Sequence, residues 1–170
     1  SSSACGVSST ISLSLQSTTD ITPLCPSQAS ACNGEGGTLG IERSIYTGIL
    51  TIPSGCTDWV LSYDMCCRNS SITNINSASS NDFYIQTTLN NTLATCNNSP
   101  TFTSNPQLFA CVGQTINYQQ LATDPDGDVL VYSLVNALNS PGSSVPYAGG
   151  FSGTTPFTVP ATIDPQTGEI

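Results

Sequence analysis

Asp124, Asp126 and Asp128 stand at alternate positions in the run Asp-Pro-Asp-Gly-Asp, beside the strand-like stretch VLVYSLV. Carboxylates so spaced can gather round a divalent cation, since calcium takes six to eight oxygen ligands. They can work in pairs as general acid and base. Or they can shape a tight turn, in which Pro presets φ, Asp caps its own backbone and Gly supplies the left-handed residue. The turn accounts for Pro125, Asp126 and Gly127 without needing Asp124 or Asp128. Like charges this close repel unless a cation or solvent screens them. The loop is not an EF-hand, because the twelfth position counted from Asp124 is Val135, where a bidentate Glu would be needed. Calcium here must recruit oxygens from elsewhere in space, and calcium site and bare turn both stay open.

Catalysis has little to work with. The chain has no histidine and no lysine, and its only cations are Arg43 and Arg68. Nucleophilic triads and Cys–His dyads need an imidazole or another tuned base. A glycosidase needs only two carboxylates, but Asp58 and Asp64 lie six residues apart. That is roughly 20 Å along an extended strand, beyond either catalytic separation. Both read as solvated aspartates at strand ends, and no enzyme is expected. Arg43 and Arg68 are expected to pair with nearby carboxylates.

The rest of the composition points outside the cell. A formal net charge of −9 repels nucleic acid and anionic membranes and favours divalent cations. Eight cysteines, at 5, 25, 32, 56, 66, 67, 96 and 111, include no C-x-x-C pair. With no histidine, the usual zinc and haem spacings are missing. An even count in a chain only 38% apolar reads as a disulfide framework made in an oxidising compartment. If all eight pair, Cys111 must bond to an earlier cysteine. Cys96 is the favoured partner, closing a short loop worth roughly 3 kcal/mol by chain entropy. Adjacent Cys66 and Cys67, at a strand end, are expected to diverge toward separate partners; a redox-active vicinal disulfide is the alternative. The chain begins SSSACG, so any signal peptide is expected to be removed or to lie outside it. The longest apolar run, VLVYSLV, is too short to span a bilayer.

The elements that must position these residues are β-strands. Alternation marks TISLSLQ, through Ile11, Leu13 and Leu15, and DWVLSYDM, where Trp59, Leu61, Tyr63 and Met65 share a face. SIYTGILTI is apolar on both faces, as a central strand would be, and DFYIQTTL, TINYQQ and VLVYSLV follow the same logic. Turn clusters such as PSGC, LNNT, DPDGD and DPQTG separate them. Trp59 could stack on sugar, but its alternation favours the core. The long Gly-rich loop NSPGSSVPYAGGFSGTTPF carries Tyr147, Phe151 and Phe157. Tyr147 and Phe151 are candidate ligand contacts, against the simpler reading that they pin the loop to its own domain. The N-x-S/T sequons at Asn69, Asn90 and Asn97 carry little weight in so Asn-rich a chain.

Three motifs in order then carry a resemblance: Asn98-Ser99-Pro100-Thr101-Phe102, the pair Asp124 and Asp126 before a strand, and the turn from Ile163 to Gly168. Residues 97–170 so marked resemble the Ig-like and cadherin-like repeats of bacterial surface proteins. In cadherin-like relatives the linker Asn and the Asp pair hold calcium between successive domains. Carried over, this implicates Asn98, Asp124 and Asp126 as metal ligands, with Asp128 as an addition. Cys96 and Asn97 stand where cadherins have acidic linker residues, and no Leu-Asp-Arg-Glu motif is present. YDMCCRN followed by FYIQTTLNN is similar to large Bacteroidota adhesins exported by type IX secretion and associated with gliding motility. By that pattern the sequence stops at GEI in mid-strand, as a piece of a longer filament.

The expectation is therefore an all-β chain of two tandem, disulfide-stapled β-sandwich modules. Residues 1–96 form a cysteine-rich domain, and 97–170 an Ig-like or cadherin-like domain lacking its last strand or strands. The expected role is a structural and adhesive segment of an extracellular, cell-surface filament, stiffened by calcium. Its partners would be neighbouring domains and a surface polysaccharide or substratum, with no nucleic acid and no membrane insertion. The alternatives are a glycan-binding module and a self-polymerising filament subunit.

Overall fold

The computed structural model describes residues 1–25, 27–34, 36–37, 39–53, 55–93, 96–105, 111 and 113–170. In chain order its strands are β1 (Ser14–Asp20), β2 (Glu42–Thr47), β3 (Trp59–Met65), β4 (Phe83–Leu89), β5 (Thr101–Phe102), β6 (Ala122–Thr123), β7 (Leu138–Ser140) and β8 (Ser143–Ser144). All pairings between them are antiparallel, and single 3-10 turns at Ala31–Asn33 and Ala78–Ser80 are the helical elements among the described residues. The chain is all-β, as its periodicity implies.

Two compact units divide it. One comprises Ser1–Val7, Ser54–Ser104 and Cys111–Ile170, and the other Ser8–Pro53 with Asn105–Ala110. The boundary expected between residues 96 and 97 thus falls inside the first unit.

In the larger unit β3 and β4 form a seven-residue ladder from Trp59↔Leu89 to Met65↔Phe83, and the sheet continues through β7 to β8. The face carrying Trp59 is apolar, with Tyr63 opposite Ile85 and Met65 opposite Phe83. Burial fades along it: Trp59 is 2% exposed, Tyr63 45% and Met65 50%. Trp59 is therefore a core residue and has no surface free for a sugar. A second apolar cluster joins Ile75, Ala78 and Val145, with Ile72, Ala137 and Tyr147 packed on it. In residues 97–170, β5 pairs with β6, and Tyr118 exchanges backbone hydrogen bonds with Ile170 at 3.2 and 3.0 Å. The turn expected from Ile163 to Gly168 forms. The Gly168 N–H donates to the Asp164 carbonyl at 2.9 Å, and φ at Gly168 is +71°, which glycine adopts without strain.

The smaller unit is built on the hairpin of β1 and β2, with a register irregularity between Leu15 and Ser17. The ladder begins at Ser14, later than the apolar alternation from Ile11, and every residue of both strands is exposed. SIYTGILTI is not a central strand: β2 has a single partner and ends at Thr47. Its apolar character on both faces signals a central position only where neighbours cover both faces. TINYQQ and VLVYSLV likewise join no strand ladder among the described residues: Tyr118 exchanges backbone hydrogen bonds with Ile170, and the Tyr132 N–H donates to the Pro165 carbonyl, but these contacts do not extend into a run of paired residues.

Candidate functional site

The aspartate run folds as a turn. Asp124 Oδ1 accepts the backbone N–H groups of Asp126 at 2.8 Å and Asp128 at 3.2 Å, and the Asp124 carbonyl accepts that of Gly127 at 3.2 Å. Gly127 takes φ of +80°, the left-handed conformation the turn requires. Asp124 is thus needed by the turn after all, which the dipeptide rules alone did not show. The turn presents Asp126 to Asn98, whose backbone N–H donates to Oδ2 at 2.6 Å and whose amide Nδ2 lies 3.1 and 3.3 Å from the two carboxylate oxygens. Next to this joint β5 and β6 begin their ladder, so clamp and strand pair reinforce each other. Asp128 contributes its N–H, while its carboxylate accepts no hydrogen bond among the described residues.

Of the four expected metal ligands, then, Asn98 and Asp126 meet directly, Asp124 serves the turn, and Asp128 stands aside. The three carboxylates do not converge: among the described residues, only Cys66, Cys67 and Asp82 bring three such ligand atoms within 4.8 Å of one another. N–H donors already face the lone pairs a cation would need, and Asn98 turns its NH2 toward Asp126. The donor set fits a hydrogen-bonded clamp and does not, as arranged, fit calcium.

The 140–157 loop is tied down to other segments of its own unit. The Tyr147 hydroxyl accepts the Ala137 N–H at 2.8 Å, its carbonyl accepts Asn76 Nδ2 at 3.1 Å, and its backbone bridges to Ile75. Asn74 donates to the Pro156 carbonyl at 2.8 Å and accepts the Ala148 N–H at 3.1 Å through its own carbonyl. Val145 is buried beneath. Phe151 is half-buried, and Phe157 is exposed. Tyr147 is an anchor of the loop.

The cysteines divide differently from expectation. Cys5 and Cys56 are bonded across 51 residues, and Cys66 is bonded to Cys67. The divergence expected of the adjacent pair needs a pleated strand, whereas β3 ends at Met65. Cys25, Cys32, Cys96 and Cys111 are free thiols, so the favoured Cys96–Cys111 bridge is not formed. The chain after Cys96 is committed to β5 and its pairing with β6, while Cys111 exchanges hydrogen bonds with Gln114 at 3.1 and 3.2 Å. Because Cys66 and Cys67 share one bond, their cluster with Asp82 offers no thiolate to a metal.

Cys56 is fully buried and fixed twice over. Its N–H donates to Asn91 Oδ1 at 2.9 Å, and its carbonyl accepts the Asn91 N–H at 3.2 Å. Beside it Asp58 gathers the first residues of the chain. Its carboxylate accepts the Ser2 hydroxyl at 2.5 Å and the N–H groups of Ser3 and Ala4 at 3.0 Å. The Ser2 hydroxyl above all, then the Ala4 and Ser3 N–H groups, holds Asp58 below the ordinary carboxylate range. Asp58 is a structural clasp, contrary to its reading as a solvated strand end. Nothing local in the sequence signalled this, since its partners lie more than fifty residues away.

Two further aspartates act alike. Asp20 accepts the hydroxyls of Ser30 and Thr22 and the Thr22 N–H, and Ser30 contributes most to lowering its pKa. Asp164 is lowered chiefly by the Thr167 N–H and then by that of Gln166, at 2.8 and 2.7 Å. Among the described residues the arginines pair with no carboxylate, contrary to expectation. Arg68 donates to the backbone carbonyls of Asp82 and Leu138 at 3.0 and 2.9 Å, with its guanidinium 5.3 Å from the Phe83 ring centre. It ties the ends of β3, β4 and β7 together. Arg43 donates to Asn105 Oδ1 at 3.4 Å.

Set against known proteins, the chain matches no family model, no curated protein and no solved structure. Its functional reading rests on its own residues.

Proposed function

We propose that this chain is a structural and adhesive segment of a cell-surface protein, a load-bearing spacer of the kind found in the gliding-associated adhesins of Bacteroidota. The observation that carries the reading is the Cys5–Cys56 bond. It joins the two points between which residues 8–53 leave and re-enter the larger unit, and Asp58 and Asn91 fasten both of its ends. A covalent closure at the base of an excursion takes load that hydrogen bonds alone would carry. Its place is extracellular, where such bonds persist. The finer reading of residues 97–170 as an Ig-like or cadherin-like module is supported by its three motifs: the Asn98–Asp126 clamp, the Asp124 turn and the turn ending at Gly168 all form. In this proposal the hydrogen-bonded clamp provides the stiffness at the joint, and calcium is the rival account. The glycan-binding alternative is weakened by Tyr147, whose hydroxyl and carbonyl are taken up by Ala137 and Asn76.

Stretching single molecules from their two ends tests the mechanical half. The oxidised chain should extend less than the reduced one by about 180 Å, the length of the 51 residues the bond hides. Equal extension in both states would remove that half. Beads coated with the chain should attach to bare and polysaccharide-coated surfaces more than uncoated beads do; no difference would remove the adhesive half.

A further inference from the structure

Residues 129–135, Val-Leu-Val-Tyr-Ser-Leu-Val, are built like a strand and have no strand beside them among the described residues. Leu130, Tyr132 and Leu134 are half-buried, while Val129, Val131 and Val135 are 91, 78 and 74% exposed. That period of two is the signature of an extended segment with one face packed. The inner face is fixed: the Tyr132 N–H donates to the Pro165 carbonyl at 3.0 Å, and the Tyr132 ring lies so close to Gly168 that a Cβ there would fall 2.7 Å from it. Among the described residues, Tyr132 has the only hydrogen-bonded backbone N–H of these seven. Strand alternation turns the backbone groups of Val131 and Ser133 away from the Tyr132 side, leaving them without a partner among the described residues, on an edge with apolar side chains that ends at Val135, where Gly153 packs on the carbonyl.

We infer that this edge pairs with the same edge of a second copy, antiparallel and centred on Tyr132. The sequence is self-complementary in that register. Val129 falls opposite Val135, Leu130 opposite Leu134, Val131 opposite Ser133, and Tyr132 opposite its own symmetry mate. Every half-buried residue meets a half-buried one, and every exposed residue an exposed one. The seven residues carry no charge, and the first flanking carboxylate, Asp128, falls opposite Asn136, an amide that can donate to it. A chain with a net charge of −9 needs such a neutral seam to meet its own copy. A two-fold pairing uses the edge on both copies and closes, so it yields a dimer and not a fibre. The inference does not depend on adhesion.

Sedimentation of the whole 170-residue chain across a dilution series tests it, alongside Val131→Pro, Val131→Lys and Leu15→Lys. The wild type should show a monomer–dimer equilibrium, with the amides of Val131 and Ser133 exchanging more slowly with deuterium as concentration rises. Val131→Pro removes one N–H donor from each copy, so by symmetry two bonds are lost, and dissociation should be easier by about tenfold or more. Val131→Lys should give monomer. Both should keep the wild-type tryptophan emission, since Val131 lies outside the core. A wild type that stays monomeric throughout overturns the inference. So does a dimer that Leu15→Lys dissolves and the Val131 variants leave intact, which would place the interface on the β1–β2 hairpin. Slow exchange at Val131 and Ser133 in a monomer would put another segment of the chain on this edge, and overturns it equally.

Discussion

Asn98 grips Asp126 with its backbone N–H and its side-chain amide together, across 28 residues of chain. The contact fastens the segment entering β5 to the turn leaving β6, so a small group of polar atoms fixes where two short strands meet. Asp126→Ala removes these bonds at an exposed site and should cost about 1 kcal/mol, read from a denaturant titration. The clamp reading expects the same melting temperature with calcium and with a chelator. A calcium-dependent rise that Asp124→Asn with Asp126→Asn abolishes would install an ion there instead.

Cys5–Cys56 closes the longest covalent loop seen among the described residues. Replacing both cysteines by serine should cost about 4 kcal/mol by loop entropy for a separation of 51 residues. Non-reducing peptide mapping should recover peptides containing Cys5 and Cys56 as one species. Separate peptides would show that the clasp is not covalent.

Trp59 is the chain's only tryptophan and is 2% exposed, so its emission reports on the core at the head of β3. The folded chain should emit to the blue of the unfolded one. Trp59→Ala should cost about 3–5 kcal/mol, the usual range for removing a buried aromatic. Trp59→Phe should cost less, because the indole N–H has no hydrogen-bond partner among the described residues and nothing is lost with it.

Asp20, Asp58 and Asp164 all titrate below their ordinary value of 3.8 in the folded chain. A depressed carboxyl stabilises the fold above its unfolded pKa, and that stability is lost as pH falls through the folded value. Stability should therefore hold from neutrality to about pH 4 and decline below it. Asp58→Asn should flatten the decline in an acid titration followed by circular dichroism; an unchanged slope would show that its clasp does not differ between folded and unfolded states.

Much of the fold was legible in the sequence where the instructions are local. DWVLSYDM and DFYIQTTL are rich in β-forming residues, and β3 and β4 follow them within a residue, because such side chains favour an extended backbone locally. DPDGD and DPQTG announce their turns through Asp, Pro and Gly, and both turns form as written. VLVYSLV shows the limit. Its pattern is that of a strand and its exposure follows the pattern, yet a ladder needs a neighbour, and no seven-residue window can say whether one arrives.

The cysteines and the lone charges show the same limit. Counting eight thiols states that bonds are possible, but which sulfurs meet depends on contacts such as Asp58 with Ser2, made across more than fifty residues. Arg68 could be expected to seek a carboxylate; the folded chain instead offers it two carbonyls at strand ends, groups every residue owns and no sequence pattern marks.

By itself, then, the sequence determined an all-β chain, the strands β3 and β4 and its turns, together with an inventory poor in catalytic groups. Those properties follow from side-chain periodicity and backbone preference over a few residues. Only the tertiary structure decided the partners: Cys56 for Cys5, Asn98 for Asp126, the Ala137 amide for Tyr147. Each is a meeting of residues distant in the chain, selected by how whole strands pack.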